Sequence, residues 1–211
     1  CVNLDGPPGR LARRVLARFN RLIGASPSVF SYLLSITPKC SIYIPPGIDL
    51  ERISAAPVAV KGAPIRIGYF NHLNKIKGCD IALDAFLSCQ FNDTEYIIAG
   101  TGEMADLLKN KYDGKNGVKF LGFLSYPIPD MKACDMILLP FRTHVTVLGI
   151  SQTVLECLAA GVPVIGSDNE ALTAVIRDGQ EGLIYSNPHQ LPDKIRLLHD
   201  NVKLRKHLSQ N

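Results

Sequence analysis

The chain has 211 residues, 46% of them hydrophobic and 20% charged, with a formal net charge of +4. That is the balance of an ordinary globular protein of one large domain or two small ones, and it excludes a disordered or collagen-like chain. The basic residues are scattered rather than gathered, so charge alone does not point to nucleic acid. No apolar run approaches the roughly 18 residues that a membrane-spanning helix needs.

At the N-terminal end, "RLARRVLARFNRLIG" places Leu11, Val15, Phe19, Leu22 and Ile23 on one helical face, with Arg10, Arg13, Arg14, Arg18 and Arg21 elsewhere. Two readings are open for this helix: packing on a neighbouring domain with its charged face solvated, or peripheral contact with an anionic membrane surface. In "SPSVFSYLL", Ser26 suits an N-cap and Pro27 the first helical position. A short strand, "SIYI", then leads into "PPGIDL", where Pro45, Pro46 and Gly47 make a stiff turn. A domain boundary is expected there, between residues 1–44 and 45–211. The first residue is Cys1 rather than Met, which fits a piece of a longer protein.

From residue 65 onward, continuously apolar runs alternate with helical patterns. Strands are expected at 65–70, 95–100, 118–123, 136–140, 163–167 and 182–185, with helices near 78–88, 103–111, 128–134, 151–160, 171–177 and 189–199. Short apolar strands joined by crossover-length helices require a parallel sheet covered on both faces, a doubly wound α/β domain. In such sheets the ligand lies outside the carboxyl ends of the strands, so function is sought in the loops that follow them.

Each loop offers a candidate. Lys77 and Gly78 open the helix after the first strand, where a cation and a helix N-terminus can meet a phosphate; a solvated surface lysine is the plainer reading. Gly100, Gly102 and Ala105 fit G-x-G-x-x-A, but they follow the second strand, and the next strand ends in Leu121-Gly122-Phe123 rather than the acidic residue that a dinucleotide site needs. A glycine turn that lets backbone approach a ligand, or simply a tight turn, fits better. Glu156 is the one carboxylate in an apolar helix running into an apolar strand. It can accept two hydrogen bonds from a ribose diol, or pair with an Arg or a helix end elsewhere in the fold. The six cysteines form no C-x-x-C pair and fall mostly in apolar segments, as buried thiols in a reducing, cytoplasmic setting do. The histidines lack metal-site spacing.

The segments "IPPGID", "NKIKGCDIALDAF", "IIAGTGEM", "VKFLGF", "ACDMILLP", "LECLAAGVPVIGSD" and "VIRDGQEGLIY" occur in the order, and at about the spacing, of the C-terminal domain of retaining GT-B glycosyltransferases, which this chain resembles over roughly residues 42–200. Any one segment is weak evidence, and seven in register are strong. The resemblance implies a Rossmann-like domain that binds a nucleotide diphosphate sugar donor, with no metal or other cofactor, in an enzyme that transfers the sugar with retention to a glycan or lipid-linked acceptor, in the cytoplasm or at the inner membrane face. It also implies that residues 1–41 are the end of an acceptor-binding domain, and that the fragment alone is inactive.

Carried over by residue, the resemblance gives Lys77 a diphosphate role and Glu156 a ribose role. It puts His72, in "Asn71-His72-Leu73", where the family has the Arg of Gly-Arg-Leu; a histidine is only partly charged near neutral pH. Donor contacts are expected from Gly100, Gly102, Gly122 and Phe123, and from backbone N–H groups around Gly149, Ile150 and Ser151. A second family glutamate would fall at Leu148. A Gly-Gly pair aligns with Glu170 and Ala171, and a following Pro-Glu with Thr173 and Ala174. Glu170 is then either a relocated acid near the sugar or a helix N-terminal residue favoured by the dipole. His144 either touches the donor or is a loop histidine without a role. These departures keep alternatives open: a nucleotide-sugar-binding module without catalysis, a GT-B-like sugar epimerase, or a dinucleotide enzyme.

Overall fold

The computed structural model describes residues 7–37, 41–60, 63–142 and 149–210. Cys1, Cys40, His144 and Leu148 lie outside the described residues. The N-terminal part comprises α1 (Pro7–Leu16), β1 (Leu22–Gly24), α2 (Pro27–Ile36) and β2 (Ser41–Tyr43), followed by α3 (Leu50–Ala55). The main body continues as β3 (Ile65–Phe70), α4 (Cys79–Cys89), β4 (Thr94–Ala99), α5 (Ala105–Tyr112), β5 (Val118–Gly122), α6 (Ile128–Lys132) and β6 (Met136–Leu139). It closes with α7 (Gln152–Ala159), β7 (Val164–Ser167), α8 (Glu170–Thr173), β8 (Gly182–Tyr185), α9 (Leu191–Asp200) and α10 (Val202–Gln210).

The first helix corrects its sequence reading. It ends at Leu16, and Leu22 and Ile23 belong instead to β1, which pairs in parallel with β2, Ile23 opposite Ile42. Strand pairing at a β-branched residue overrides a helical spacing that turns the chain past Asn20. Leu11, Val15, Phe19 and Ile23 are exposed, and so are Arg13, Arg14, Arg18 and Arg21. In α2 the expected cap is present: Ser26 Oγ accepts from the N–H of Val29 at 3.3 Å, with Pro27 at the first helical position.

The six strands β3 to β8 form one parallel sheet in the order β5-β4-β3-β6-β7-β8. Its strands were expected within a residue or so of where they lie. Those expected as continuously apolar are buried on both faces: every residue of β4, β6 and β7 is buried, whereas β5, at the sheet edge, alternates. One face is covered by α4, α5, α9 and α10 through residues such as Phe86, Leu108, Ile195 and Leu208; the other by α3, α6, α7 and α8 through Ile53, Met131, Val154 and Leu172. Strand order reverses between β3 and β6, so the loops after these two strands part at the carboxyl edge and open a crevice. At the opposite end Arg66 and Glu95, paired across β3 and β4, form a buried ion pair at 2.6 Å that Lys119 joins.

Three further elements differ from expectation. Helix α3, capped by Asp49 on the N–H of Arg52, and helix α10 are additional, and α8 covers four residues rather than the seven of 171–177. The four described cysteines are free thiols, and Cys79, Cys134 and Cys157 are buried. No described helix is long and apolar enough to cross a membrane.

Candidate functional site

The crevice at the switch point encloses about 250 Å³, and Asn71, His72, Gly100, Phe123, Thr153 and Glu156 are among its walls. Glu156 stands in the second turn of α7, and burial pushes its carboxyl above the usual carboxylate range. Its side chain makes no ion pair or hydrogen bond with any described residue. A second cavity of about 210 Å³ shares Glu156 and is lined by Asp49, Arg52, Tyr126 and Gln152. Arg52 is the cation nearest to hand there, yet its guanidinium stacks over the Tyr126 ring at 4.4 Å. A half-buried carboxylate without a protein partner keeps its acceptor capacity for a ligand.

Across the crevice, the loop after β3 is held by its own backbone. The buried hydroxyl of Tyr69 donates to the carbonyl of His72 at 2.9 Å, with that of Lys77 at 3.3 Å, and burial keeps the phenol protonated. Asn74 Oδ1 accepts from the N–H of Lys77 at 2.8 Å. His72 is exposed, and its Nδ1 lies 3.2 Å from the carbonyl oxygen of Thr101. A carbonyl only accepts, so Nδ1 carries the proton, and Nε2 can donate to an anion only when the ring is charged. Lys77 is half-buried, which lowers its ammonium pKa, and no described carboxylate pairs with it.

The two loop glycines serve this bracing. Leu73 N–H donates to Thr101 O at 2.9 Å and Met104 N–H to Leu73 O at 2.9 Å. A Cβ on Gly100 would fall 2.0 Å from the carbonyl oxygen of Asn71. The close approach that G-x-G permits is therefore made first by neighbouring backbone. At the end of β5, Phe123 is 73% exposed and its ring borders the crevice.

At the start of α7, Ser151 makes no side-chain cap, and the N–H groups of Gln152 and Thr153 donate to no described acceptor. Unpaired first-turn amides with the positive end of the helix dipole favour an anion. Glu156, without a partner among the described residues, and the open amide of Thr153 thus meet at the crevice, with the half-buried Lys77 in the loop after β3 at the same sheet edge.

The family model described as glycosyl transferases group 1 matches residues 64–201. The chain belongs to that family. Among its relatives are an uncharacterized glycosyltransferase of Methanocaldococcus jannaschii, 30% identical over 142 residues covering 64% of this chain and 38% of the relative, and a phosphatidyl-myo-inositol mannosyltransferase of Mycobacterium leprae, 27% identical over 153 residues covering 67% of this chain and 39% of the relative. The chain thus spans about two fifths of the length of these relatives. The solved structure of Anabaena HepE in complex with UDP shares the fold at a TM-score of 0.77 and 19% identity, over 95% of this chain and 60% of that one.

In this group 1 glycosyltransferase domain, several residues expected to contact a donor lie outside the crevice walls or have other partners. The N–H of Ser151 donates to the carbonyl of Ala171 at 3.0 Å, so the open amides are those of the next two residues. Gly102 and Gly122 stand outside the crevice walls, and the N–H of Gly100 is taken by Gly122 O at 2.8 Å. Ile150 and Gly149 are half-buried and precede α7 without bordering the crevice. Glu170 begins α8, but its carboxylate accepts from the N–H of Ser28 in the first turn of α2 at 2.8 Å, an N-terminal role on a different helix from its own. Asn169, not Glu170, caps α8.

Sequence reasoning missed Thr153 and Arg142. Thr153 stands three residues before Glu156, a spacing that would have found it. Arg142, in the segment after β6, pairs with Asp80 in the first turn of α4 at 2.5 Å, and no local pattern connects the two. Among the described residues no three His, Cys, Asp or Glu side chains converge as metal ligands would.

Proposed function

We propose that this domain binds the nucleotide diphosphate sugar donor of a glycosyltransferase that moves the sugar to a glycan or lipid-linked acceptor with retention of configuration. The observation that carries the reading is Glu156: a carboxylate desolvated by burial, without a partner among the described residues, in the wall of the crevice at the topological switch point. A ribose diol supplies the two donors that this carboxylate lacks. With the ribose there, the base lies towards Phe123 and the diphosphate towards Lys77, His72 and the open amides of α7. These groups stabilise the charge that develops on the departing diphosphate, a preorganised electrostatic role. The likeness to HepE, solved with UDP and with UDP-glucose, and to a named mannosyltransferase supports the donor class.

The commitment of Glu170 to Ser28 favours a second reading, in which the sugar end of the site lacks an acid and the module binds donor without transferring it. Calorimetry with UDP, GDP and ADP tests the common part. Binding of one of them is expected, weakened in Glu156→Ala by about 1.5–3 kcal/mol, the scale of hydrogen bonds to a charged group. Absence of binding to all three at millimolar concentration sinks the donor-site reading. Sugar release from labelled donors by the full-length protein then separates transfer from binding alone.

A further inference from the structure

At the switch point, the segment leaving β6 runs alongside the segment entering α4, and four contacts lock them together. Gly78, in the left-handed conformation at φ +70°, lies so close to the carbonyl oxygen of Pro140 that a Cβ would stand 1.9 Å from it. The N–H of Arg142 donates to the carbonyl of Ile76 at 3.1 Å. The guanidinium of Arg142 pairs with Asp80 in the first turn of α4. Between these ties, the ammonium of Lys77 sits 4.3 Å from the centre of the Phe141 ring. Phe141 is 1% exposed and belongs to the core on the α7 side of the sheet, so its ring is fixed.

The choice of partner matters chemically. A carboxylate in contact with Lys77 would orient the ammonium but cancel its charge, and it would compete with any incoming phosphate. An aromatic face attracts the ammonium through its quadrupole and leaves the full positive charge in place. Asp80, three residues beyond Lys77, is paired through Oδ2 with Arg142 and makes no ion pair with Lys77.

We propose that Phe141 is a positioning residue for Lys77, holding the uncompensated ammonium at the switch point for the diphosphate of the donor, with the Asp80–Arg142 pair keeping the neighbouring acid away from it. This rests on the donor-site reading above. It adds to the site a residue that touches no ligand and acts through Lys77.

The test titrates the 211-residue chain with the best-bound of UDP, GDP and ADP and with the corresponding nucleoside. Phe141→Leu is expected to weaken the diphosphate about fivefold to tenfold, the range of a partly desolvated cation–π contact, and to leave the nucleoside unchanged, which also reports an intact fold. Lys77→Met, which leaves the core untouched, is expected to cost at least as much, and adding Phe141→Leu to it nothing further. In the free chain, the ε-methylene protons of Lys77 are expected to resonate upfield in NMR spectra, an effect of the ring that Phe141→Leu abolishes.

Three results overturn the proposal while leaving the donor site standing: equal weakening of nucleoside and diphosphate by Phe141→Leu, the same diphosphate loss with and without Lys77, or Lys77 methylene protons free of any ring-current displacement. A chain that binds no nucleotide overturns the donor-site reading and this proposal together.

Discussion

At the scale of single residues, the site holds charged groups in places that favour ligand over stability. The carboxyl pKa of Glu156 is raised by burial, so it lies above its value in the unfolded chain. The folded chain therefore retains the proton longer, and its stability falls as pH rises through the raised value. Glu156→Gln removes that penalty. Its melting temperature is expected to exceed that of the parent chain at neutral pH and to match it below the ordinary carboxylate range, as calorimetric scans at several pH values would show; equal melting temperatures throughout would mean that the carboxylate has found a partner. His72 makes the opposite kind of compromise. Its Nδ1 proton is committed to Thr101 O, so phosphate contact through Nε2 requires the charged ring. His72→Arg is expected to tighten diphosphate binding about tenfold, the scale of a gained charged hydrogen bond, read by calorimetry. The sequence marked His72 as a weaker phosphate partner than arginine, but not its tautomer, which is set by a carbonyl 29 positions away.

At the scale of elements, the strands were legible because burial on both faces writes itself as unbroken apolar runs, and β4, β6 and β7 are buried throughout. The same signal does not distinguish a four-residue turn of helix from a longer one, so α8 was overextended. Helix α10, polar on most of its surface with Leu208 buried, carries too narrow an apolar stripe to announce itself. Helix α4 ends at Gln90, which adopts the left-handed conformation at φ 56° and ψ 41° that glycine accepts without cost. Gln90→Gly is expected to stabilise the chain by about 1 kcal/mol, measurable as a shift in urea midpoint at constant slope. Destabilisation instead would show that the Gln90 side chain contributes more than its backbone strain removes.

At the scale of the whole molecule, β1 and β2 pair with each other, and α2 packs against both. Large apolar side chains in this part, among them Phe19, Ile23 and Ile44, are exposed. One tie between this part and the main body is the carboxylate of Glu170, at the start of α8, which accepts from the N–H of Ser28. The boundary proposed at residue 45 thus has a direct consequence. A chain of residues 45–211 is expected to fold, keep its nucleotide affinity and lose little stability, because both faces of its sheet are covered by its own helices. Aggregation of that shorter chain, or loss of nucleotide binding, would show that the N-terminal elements complete the domain.

The sequence by itself determined the doubly wound architecture and the family, and pointed to the carboxyl edge for the candidate site, because apolar periodicity and motif order are local properties of the chain. It singled out Glu156 as a carboxylate in need of a reason, but not whether an Arg answered it. That was decided in three dimensions, where Arg52 turns to Tyr126 and leaves the carboxylate to the crevice. Likewise, the glycines of "AGTGEM" were legible as close-approach residues, while what approaches them, the backbone of Asn71 to Leu73, was not. The meeting of Lys77 with Phe141, and of Asp80 with Arg142, depends on strand order reversing between β3 and β6. Contacts across a switch point join residues more than 60 positions apart, and no spacing rule within one segment encodes them.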